Sequence, residues 1–289
     1  FEDFESASWQ SNWSNHSGKT SIVAGGSDFG FAPLDGKALR VKVEKDGHYG
    51  LNTTFDFAKK LGAEPDEIYL RYYLRLGSDW KPTIGGKLPG ISGTYGVAGW
   101  GGRPSDGTNG WSARGLFSGA TAAQNPLPLH TAVGSYVYHA DMQGQYGDNW
   151  QWNQSWGNEG YGGVLEQGRW YCLEQHVKLN TLGKSDGVLR AWVDGRLAFE
   201  KRDVRYRSVA KLKIERVWMN VYYGGKDPAP QDMHLFIDNV VIAKRYVGPR
   251  HDPAATPDSG IADKDGGSAA ADGGAPEADG ATSDGPAAG

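Results

Sequence analysis

Apolar and polar residues alternate with a period of two over several short segments of the chain. The clearest segment, 68–76, carries isoleucine, leucine or tyrosine at even positions and tyrosine or arginine at odd positions. Because successive side chains of a β-strand point to opposite faces of the sheet, this period predicts a strand. By the same pattern or by composition, strands are also predicted over 38–43, 170–180, 188–199, 217–223 and 235–244.

Turn residues separate these strands, and no helix alternates with them. Asp194-Gly195 is a tight-turn dipeptide inside one strand pair, which predicts a hairpin. Segments 100–130 and 139–163 are rich in Gly, Pro, Ser, Asn or Gln and are predicted to be long loops. The chain holds 43 Gly, 11 Trp and 14 Tyr, a composition typical of turn-rich β-proteins. We therefore predict an all-β, two-sheet sandwich of jelly-roll type.

The last 39 residues differ from the rest of the chain. Segment 251–289 consists almost entirely of Ala, Gly, Asp, Pro, Ser and Thr, with one Ile and no aromatic residue. Such a segment cannot bury enough apolar surface to offset the entropy lost on ordering. We predict a β-sandwich domain over 1–250, followed by a disordered acidic linker or tail over 251–289.

Charge and cysteine content limit the possible partners. The tail carries seven Asp, one Glu and one Lys, which leaves residues 1–250 with 29 basic and 26 acidic residues, a net charge of +3. A weakly positive domain is compatible with an anionic ligand, and the lack of a basic patch argues against nucleic acid. The single cysteine, Cys172, allows no intramolecular disulfide and has no evident catalytic partner.

Other features bear on location and cofactors. No apolar run approaches the ~20 residues that a membrane span requires, so none is predicted. The chain begins at Phe1 rather than at methionine, and we expect a secreted or cell-surface protein whose signal peptide has been removed. The seven histidines show no paired ligand spacing, so no metal and no cofactor is predicted. We expect a monomer.

Three short segments between residues 85 and 139 combine groups that could bind or deprotonate an acidic sugar. Lys87 follows a glycine pair, whereas Ser112 and Arg114 stand two residues apart, as do Tyr136 and Tyr138. On strands, each of these pairs would share one face of a sheet. Taken singly, each residue has an ordinary explanation, since lysines beside turns are common and tyrosine is a good strand former.

Polar side chains that share a strand face elsewhere are candidate substrate contacts. Arg71 lies on the polar face of segment 68–76. Glu174 and His176 share one face of the next long strand pair, and Asn220 and Tyr222 share one face of segment 217–223. If those faces line a groove, these five side chains would contact an acidic polymer. Ordinary solvent exposure is the alternative, and the sequence leaves both open.

Together the segments resemble polysaccharide lyase family 14, which includes alginate lyases and glucuronan lyases. The order Gly-Lys-Leu-Pro-Gly, Ser-x-Arg and Tyr-x-Tyr carries the resemblance, which covers roughly residues 65–249. Further matches are Trp170-Tyr171 with Glu174, Asn180-Thr181, Asp186-Gly187, Trp192-Val193-Asp194-Gly195, Tyr223-Gly224-Gly225 and Ile237-Asp238-Asn239. The resemblance implies a concanavalin-like jelly roll with a concave substrate groove.

The resemblance also implies a reaction, the cleavage of a 1,4-linked uronic-acid polymer by β-elimination to leave 4,5-unsaturated uronate ends. Lys87, Ser112, Arg114, Tyr136 and Tyr138 fall on functional positions of the family. Arg114 would bind the carboxylate bidentately, and Ser112 could add a hydrogen bond. Lys87 would assist there or lower the pKa of a tyrosine, and either tyrosine would take the C5 proton.

The polymer is left open by the sequence. In mannuronate and glucuronate the C5 proton and the C4 oxygen lie on the same side of the ring, so one tyrosine could serve both. In guluronate they lie on opposite sides, which requires a second group. We expect mannuronate-type alginate to be preferred, with glucuronan as the alternative.

Two other kinds of carbohydrate-active protein compete with the lyase hypothesis. A glycoside hydrolase needs two carboxylates about the scissile bond, and the Glu-x-Asp strand signature expected of jelly-roll glucanases is absent. A non-catalytic, lectin-like jelly roll is the stronger alternative, because a fold does not determine a function. The lysine, Ser-x-Arg and Tyr-x-Tyr set favours an enzyme, since a binding module has no need of tyrosines beside two cations.

Overall fold

The computed structural model describes residues 1–26, 28–82, 85–119, 130–153 and 163–250. Strands in these ranges form two sheets in which every pair of neighbours is antiparallel. Sheet 1 contains β1 (Asn15–Gly18), β4 (Tyr49–Asp56), β6 (Gly86–Gly93), β7 (Trp111–Gly119), β8 (Thr131–Tyr138), β9 (Asp148–Gln151), β10 (Val164–Leu165) and β14 (Arg216–Tyr223). Sheet 2 contains β2 (Thr20–Val23), β3 (Ala38–Val43), β5 (Glu67–Leu76), β11 (Trp170–Lys178), β12 (Gly187–Val193), β13 (Arg196–Val204) and β15 (Met233–Ala243).

The order of the strands follows the crossovers of a jelly roll rather than the sequence. Sheet 1 runs β1-β4-β14-β6-β7-β8-β10, with β9 also paired to β8, and sheet 2 runs β13-β12-β11-β5-β15-β3-β2. One short helix, α1 (Phe57–Leu61), and two 3-10 turns (Trp9–Asn12 and Asp28–Gly30) complete the regular structure of the described ranges. The predicted all-β sandwich is confirmed.

The facing sides of the two sheets enclose the hydrophobic core. Leu74 and Leu173 of sheet 2 belong to the same buried cluster as Ala113, Val137 and Val217 of sheet 1, and all five are 0% exposed. Each is flanked along its strand by residues of the other face, as a period of two requires. The core therefore fixes which side chains of sheet 1 point outward.

The strands predicted from alternation are present with small shifts of their ends. Asp194 and Gly195 form the predicted turn between β12 and β13, with φ of 50° and 80°. The predicted loop 100–130 contains β7, which the sequence obscures with glycine. Gly115 is needed within that strand because a Cβ there would lie 2.7 Å from the Cβ of Leu88.

Residues 1–249 form one compact unit. The predicted tail, 251–289, lies outside the described residues. Of the helices that the structure describes, none has the length and apolar character that a membrane crossing requires.

Candidate active site

The candidate site lies on the side of sheet 1 that faces away from the core, called here the site face. Ala113, Val137 and Val217 point into the core, so their neighbours along β7, β8 and β14 point outward. The side chains so placed in the centre of the face are those of Lys87, Ser112, Arg114, Tyr136, Tyr138, Trp218, Asn220 and Tyr222. They occupy four adjacent strands in the order β14-β6-β7-β8.

Strand pairing brings the sequence-predicted residues into contact. Arg114 pairs with Tyr136 and Ser112 with Tyr138 across β7 and β8. On the other side, Lys87 of β6 pairs with Tyr222 of β14. Five candidate catalytic or binding positions from three separate segments therefore share one surface with Tyr222.

A bulge in β6 shapes the centre of this surface. Leu88 pairs with Gly115 and Ile91 with Ala113, so Pro89 and Gly90 together oppose the single residue Arg114. A Cβ on Gly90 would lie 2.5 Å from the Arg114 Cα and 2.4 Å from the Ala113 carbonyl oxygen. Only glycine fits there, which explains the end of the Gly-Lys-Leu-Pro-Gly segment.

Arg114 is a buried cation at the centre of the site face. Its side chain crosses β6 and donates from Nη1 to Oδ1 of Asn220 at 3.3 Å, and its Cζ lies 4.9 Å from the ring centre of Trp218. The residue is 6% exposed, and burial lowers its pKa to about 10, although nearby tyrosines raise it. In the described ranges its Nε has no hydrogen-bond partner and no carboxylate lies within 4 Å of the guanidinium.

Lys87 is a second cation beside the first. Its Nζ lies 3.7 Å from the ring centre of Tyr136, a cation–π contact. Burial, and then the charge of Arg114, lower the pKa of Lys87 to about 7. This amine therefore exchanges a proton close to neutral pH, unlike an ordinary surface lysine.

The two tyrosines differ in environment although they share a strand face. The Tyr136 hydroxyl accepts a hydrogen bond from the backbone N–H of Gly147 at 3.1 Å, and burial and a hydrogen bond with Tyr138 raise its pKa. Tyr138 is 0% exposed, and its hydroxyl accepts a hydrogen bond from the N–H of Gly102 at 3.1 Å. Tyr136 is therefore the more accessible phenol, and it stays protonated at neutral pH.

Ser112 is engaged with a loop rather than open to a ligand. Its side chain is 0% exposed, and Oγ donates to the carbonyl oxygen of Gly99 at 2.6 Å. Ser112 was predicted to contact substrate directly. In this geometry the Ser112 hydroxyl already donates its hydrogen bond to Gly99, so Ser112 orients the segment that follows β6.

The site face thus combines two cations with three phenols and one side-chain amide. Elsewhere in the described ranges, no three His, Cys, Asp or Glu side chains lie close enough together to hold a metal ion. A buried cation without a counter-ion favours an anion, and groups with a lowered lysine pKa and a raised tyrosine pKa are suited to proton transfer. The arrangement fits the binding and deprotonation of a carboxylate-bearing molecule.

Comparison with known protein families agrees with this chemistry. The sequence matches the family Polysaccharide lyase 14 over residues 35–240, most of the sandwich. The chain belongs to polysaccharide lyase family 14. The resemblance inferred from the motifs is confirmed, and with it the class of enzyme, a polysaccharide lyase.

Solved structures share the fold of this lyase. The alginate lyase Aly36B superposes with a TM-score of 0.60 at 25% identity, over 83% of this chain and 97% of its own. The marine family 14 alginate lyase from Aplysia kurodai gives 0.53 at 18% identity, over 78% and 87% of the two chains. The endo-β-1,4-glucuronan lyase from the fungus Trichoderma reesei gives 0.51 at 13% identity, over 81% and 91%. None of the curated protein sequences is a significant match.

Three predicted contacts lie on sheet 2 of the lyase, away from the site face. Arg71 donates from Nη1 to the carbonyl and amide oxygens of Asn239 at 3.0 and 2.9 Å. Glu174 accepts two backbone N–H groups of the C-terminal segment at 2.8 and 2.7 Å. His176 Nε2 lies 2.9 Å from a carboxylate oxygen of Glu67.

These three residues are therefore removed from the candidate site of the lyase. They belong to β5 and β11, whose core-facing residues pack against sheet 1, so their side chains point to the opposite surface of the sandwich. Alternation along a strand shows which residues share a face, but it does not show which sheet the strand joins. Asn220 and Tyr222, predicted by the same argument, do lie on the site face.

Sequence reasoning missed an aromatic group at the β4 side of the site face. Trp218 lies beneath Arg114, and its indole N–H donates to Oδ1 of Asn52 at 2.7 Å. Tyr49, 65% exposed, meets Tyr222 edge to face at 4.9 Å, and His48 stacks on the same ring at 5.5 Å. The period of two in segment 217–223 already placed Trp218 on the same face as Asn220, so that signal was present.

Cys172 lies on the same outer surface of sheet 2 as Glu174. It is 2% exposed, and burial raises the pKa of its thiol to about 12. The thiol therefore stays protonated and packed, in agreement with the prediction that it is not a nucleophile.

Proposed function

We propose that this lyase cleaves a 1,4-linked uronic-acid polymer, preferentially mannuronate-type alginate, by β-elimination that leaves 4,5-unsaturated uronate ends. The observation that carries the proposal is Arg114, a buried guanidinium without a carboxylate within 4 Å in the described ranges. A buried charge without a partner is costly, and a uronate carboxylate supplies that partner with bidentate geometry.

Arg114 and Asn220 provide the electrostatic part of the mechanism. The proton on C5 is poorly acidic while the adjacent carboxylate carries a full negative charge. Removal of that proton places further negative charge on the carboxylate, and fixed donors stabilise it most where water is excluded. The burial of Arg114 and its hydrogen bond to Asn220 hold such donors in place before substrate binds.

Lys87 and Tyr136 provide the proton transfers. With a pKa of about 7, Lys87 has a substantial fraction of neutral amine at neutral pH and takes the C5 proton. The electron pair of the C5–H bond forms the C4–C5 double bond, the bond between C4 and its oxygen breaks, and protonated Tyr136 gives its proton to that oxygen. The lysine ammonium then returns a proton to the phenolate beside it. The sequence prediction gave the base role to a tyrosine; the two pKa shifts favour the lysine.

The position of these two groups supports the choice of substrate. Lys87 lies directly over the ring of Tyr136, so both act from the same side of a bound sugar. In mannuronate and glucuronate the C5 proton and the C4 oxygen lie on the same side, whereas in guluronate they do not. The 25% identity with alginate lyase Aly36B favours alginate over glucuronan. Action on a large polymer also fits the predicted secreted or cell-surface location.

The test is to incubate the protein separately with polymannuronate, polyguluronate, glucuronan and hyaluronan and to follow the ultraviolet absorbance of the unsaturated uronate. We expect the fastest increase with polymannuronate. Faster turnover of glucuronan would transfer the preference to that polymer. Binding without absorbance in all four incubations would refute the lyase mechanism and favour a carbohydrate-binding module.

A further inference from the structure

A hydrogen-bonded hairpin tip, built from residues 99–103 and called here the tip, lies at the β8 side of the site face. Trp100 and Arg103 form an antiparallel bridge, with Arg103 N–H donating to the Trp100 carbonyl at 3.0 Å. Gly101 and Gly102 between them have φ of 59° and 76°. Two successive left-handed residues define the tightest hairpin turn, and glycine is the residue that adopts it without strain.

Residues of the site face hold this tip in place. Ser112 Oγ donates to the Gly99 carbonyl at 2.6 Å, and the N–H of Gly102 donates to the Tyr138 hydroxyl at 3.1 Å. From the following loop, Gln145 donates to the Gly102 carbonyl at 3.4 Å. The same surface that carries Arg114 therefore orders the tip. Binding of a ligand to the tip then costs the protein little conformational entropy.

The tip presents a cation, Arg103, that has no counter-ion among the residues that the structure describes. The Arg103 guanidinium lies 4.2 Å from the ring centre of Trp100, is exposed, and has no carboxylate within 4 Å in the described part of the chain. From the contact of Gly102 with Tyr138, the Cα of Arg103 is at most about 8 Å from the Tyr138 hydroxyl. An extended oligosaccharide bound at Arg114 and Tyr136 would therefore pass within reach of this guanidinium.

We propose that the Trp100–Arg103 tip is a subsite for the carboxylate of a uronate next to the one that reacts. The lyase then selects chains of consecutive uronates over chains in which uronates alternate with neutral sugars. Trp100 holds the guanidinium by a cation–π contact and leaves its donors free for a bidentate carboxylate. The inference rests on the proposed function, because it deepens the specificity of that site.

The experiment compares wild type with Arg103→Gln, which keeps a polar side chain but shortens it and removes the charge. The kinetic constants are measured on polymannuronate and on partly esterified polymannuronate, in which many neighbouring carboxylates are neutral. We expect Arg103→Gln to raise KM about five- to tenfold on the charged polymer, with kcat within about twofold. On the esterified polymer the difference between the two proteins should shrink. Arg202→Gln, an exposed arginine of β13 on sheet 2, serves as the matched control and should behave as wild type.

Two results would overturn the subsite. One is a KM of Arg103→Gln within about twofold of wild type together with the same dependence on salt. The other is a loss of kcat at unchanged KM, which would show that the tip supports Tyr138 instead of binding substrate. Calorimetric titration with polymannuronate provides a separate readout. If wild type releases no unsaturated product, the proposed function fails, and the affinities of the two proteins for the polymer still decide the role of Arg103.

Discussion

Replacement of Arg114 by methionine should make the protein more stable while it abolishes turnover. Methionine is an unbranched, shorter side chain, and it carries no charge to desolvate. A pKa of about 10 in place of the ordinary value of an arginine corresponds to about 3 kcal/mol against the buried charged form. Because the pKa is lowered by folding, this cost is present at every pH below about 10, including neutral pH.

The gain is reduced by the contacts that Arg114→Met removes. The hydrogen bond to Asn220 contributes about 1 kcal/mol, and the cation–π contact with Trp218 contributes about 1 kcal/mol. The net expectation is a free energy of unfolding about 1 kcal/mol higher than that of wild type. For a domain of this size, such a change raises Tm by about 2–4 °C.

Urea denaturation and thermal unfolding measure this difference, and the absorbance assay measures turnover. Arg71→Met is the matched control, since Arg71 is also a buried arginine on an outer sheet surface but donates to two oxygens of Asn239. That substitution leaves two buried acceptors of Asn239 without their donor, against one acceptor of Asn220 in Arg114→Met, and should lower the free energy of unfolding by about 1–3 kcal/mol. If Arg114→Met lowers the free energy of unfolding as much as Arg71→Met does, Arg114 is not a destabilising buried charge that awaits an anionic ligand, and this view of Arg114 is refuted.

Three further predictions concern the proton transfers and the shape of the site. The value of kcat/KM should rise about tenfold per pH unit below pH 7 and level off above pH 7. The reason is that Lys87, with a pKa of about 7, must lose its proton to act as a base. A flat profile between pH 5 and 8 would exclude Lys87 as the base. Tyr136→Phe should lower kcat on the order of 10²–10⁴-fold. Tyr138→Phe should lower kcat less, because the Tyr138 hydroxyl is hydrogen-bonded to the tip. A larger loss of kcat in Tyr138→Phe than in Tyr136→Phe, measured under saturating substrate, would assign the proton donor to Tyr138. Gly90→Ala should lower the free energy of unfolding by more than about 1 kcal/mol, since its Cβ would clash with the backbone of β7; an unchanged Tm would contradict the bulge geometry.

The sequence predicted the class of fold well because the information needed for it is local. Alternation over segments such as 68–76 and 217–223 depends only on which residues are apolar, and burial then enforces it. The tight turn at Asp194-Gly195 is equally local. The strand β7 was concealed because Gly115 within it serves a close contact with Leu88 of β6, and such a contact depends on residues distant in the sequence.

The candidate site was predicted in part for the same reason. The spacing of two residues predicted that Ser112 and Arg114 share a strand face, and that Tyr136 and Tyr138 do so too. The family resemblance then predicted that the two pairs form one site. The sequence does not reveal which sheet a strand joins. Asn220 lies on a strand of sheet 1, whereas Glu174 lies on a strand of sheet 2. The pKa shifts of Lys87 and Tyr136 depend on burial and on neighbours from other strands, so the proposal that Lys87 rather than a tyrosine takes the C5 proton could not be drawn from the sequence.

The lone cysteine has a practical consequence for the study of motion in this lyase. Cys172 is the only thiol of the chain, and it is buried and protonated on the sheet opposite to the site face. A thiol introduced at an exposed position beside the tip, as in Tyr146→Cys, would be the only one to react readily with a fluorescent maleimide. The native chain therefore reacts little with the maleimide and serves as the unlabelled control. The fluorescence of the label would then report a polymer passing the tip in real time, without replacement of any natural residue of the core.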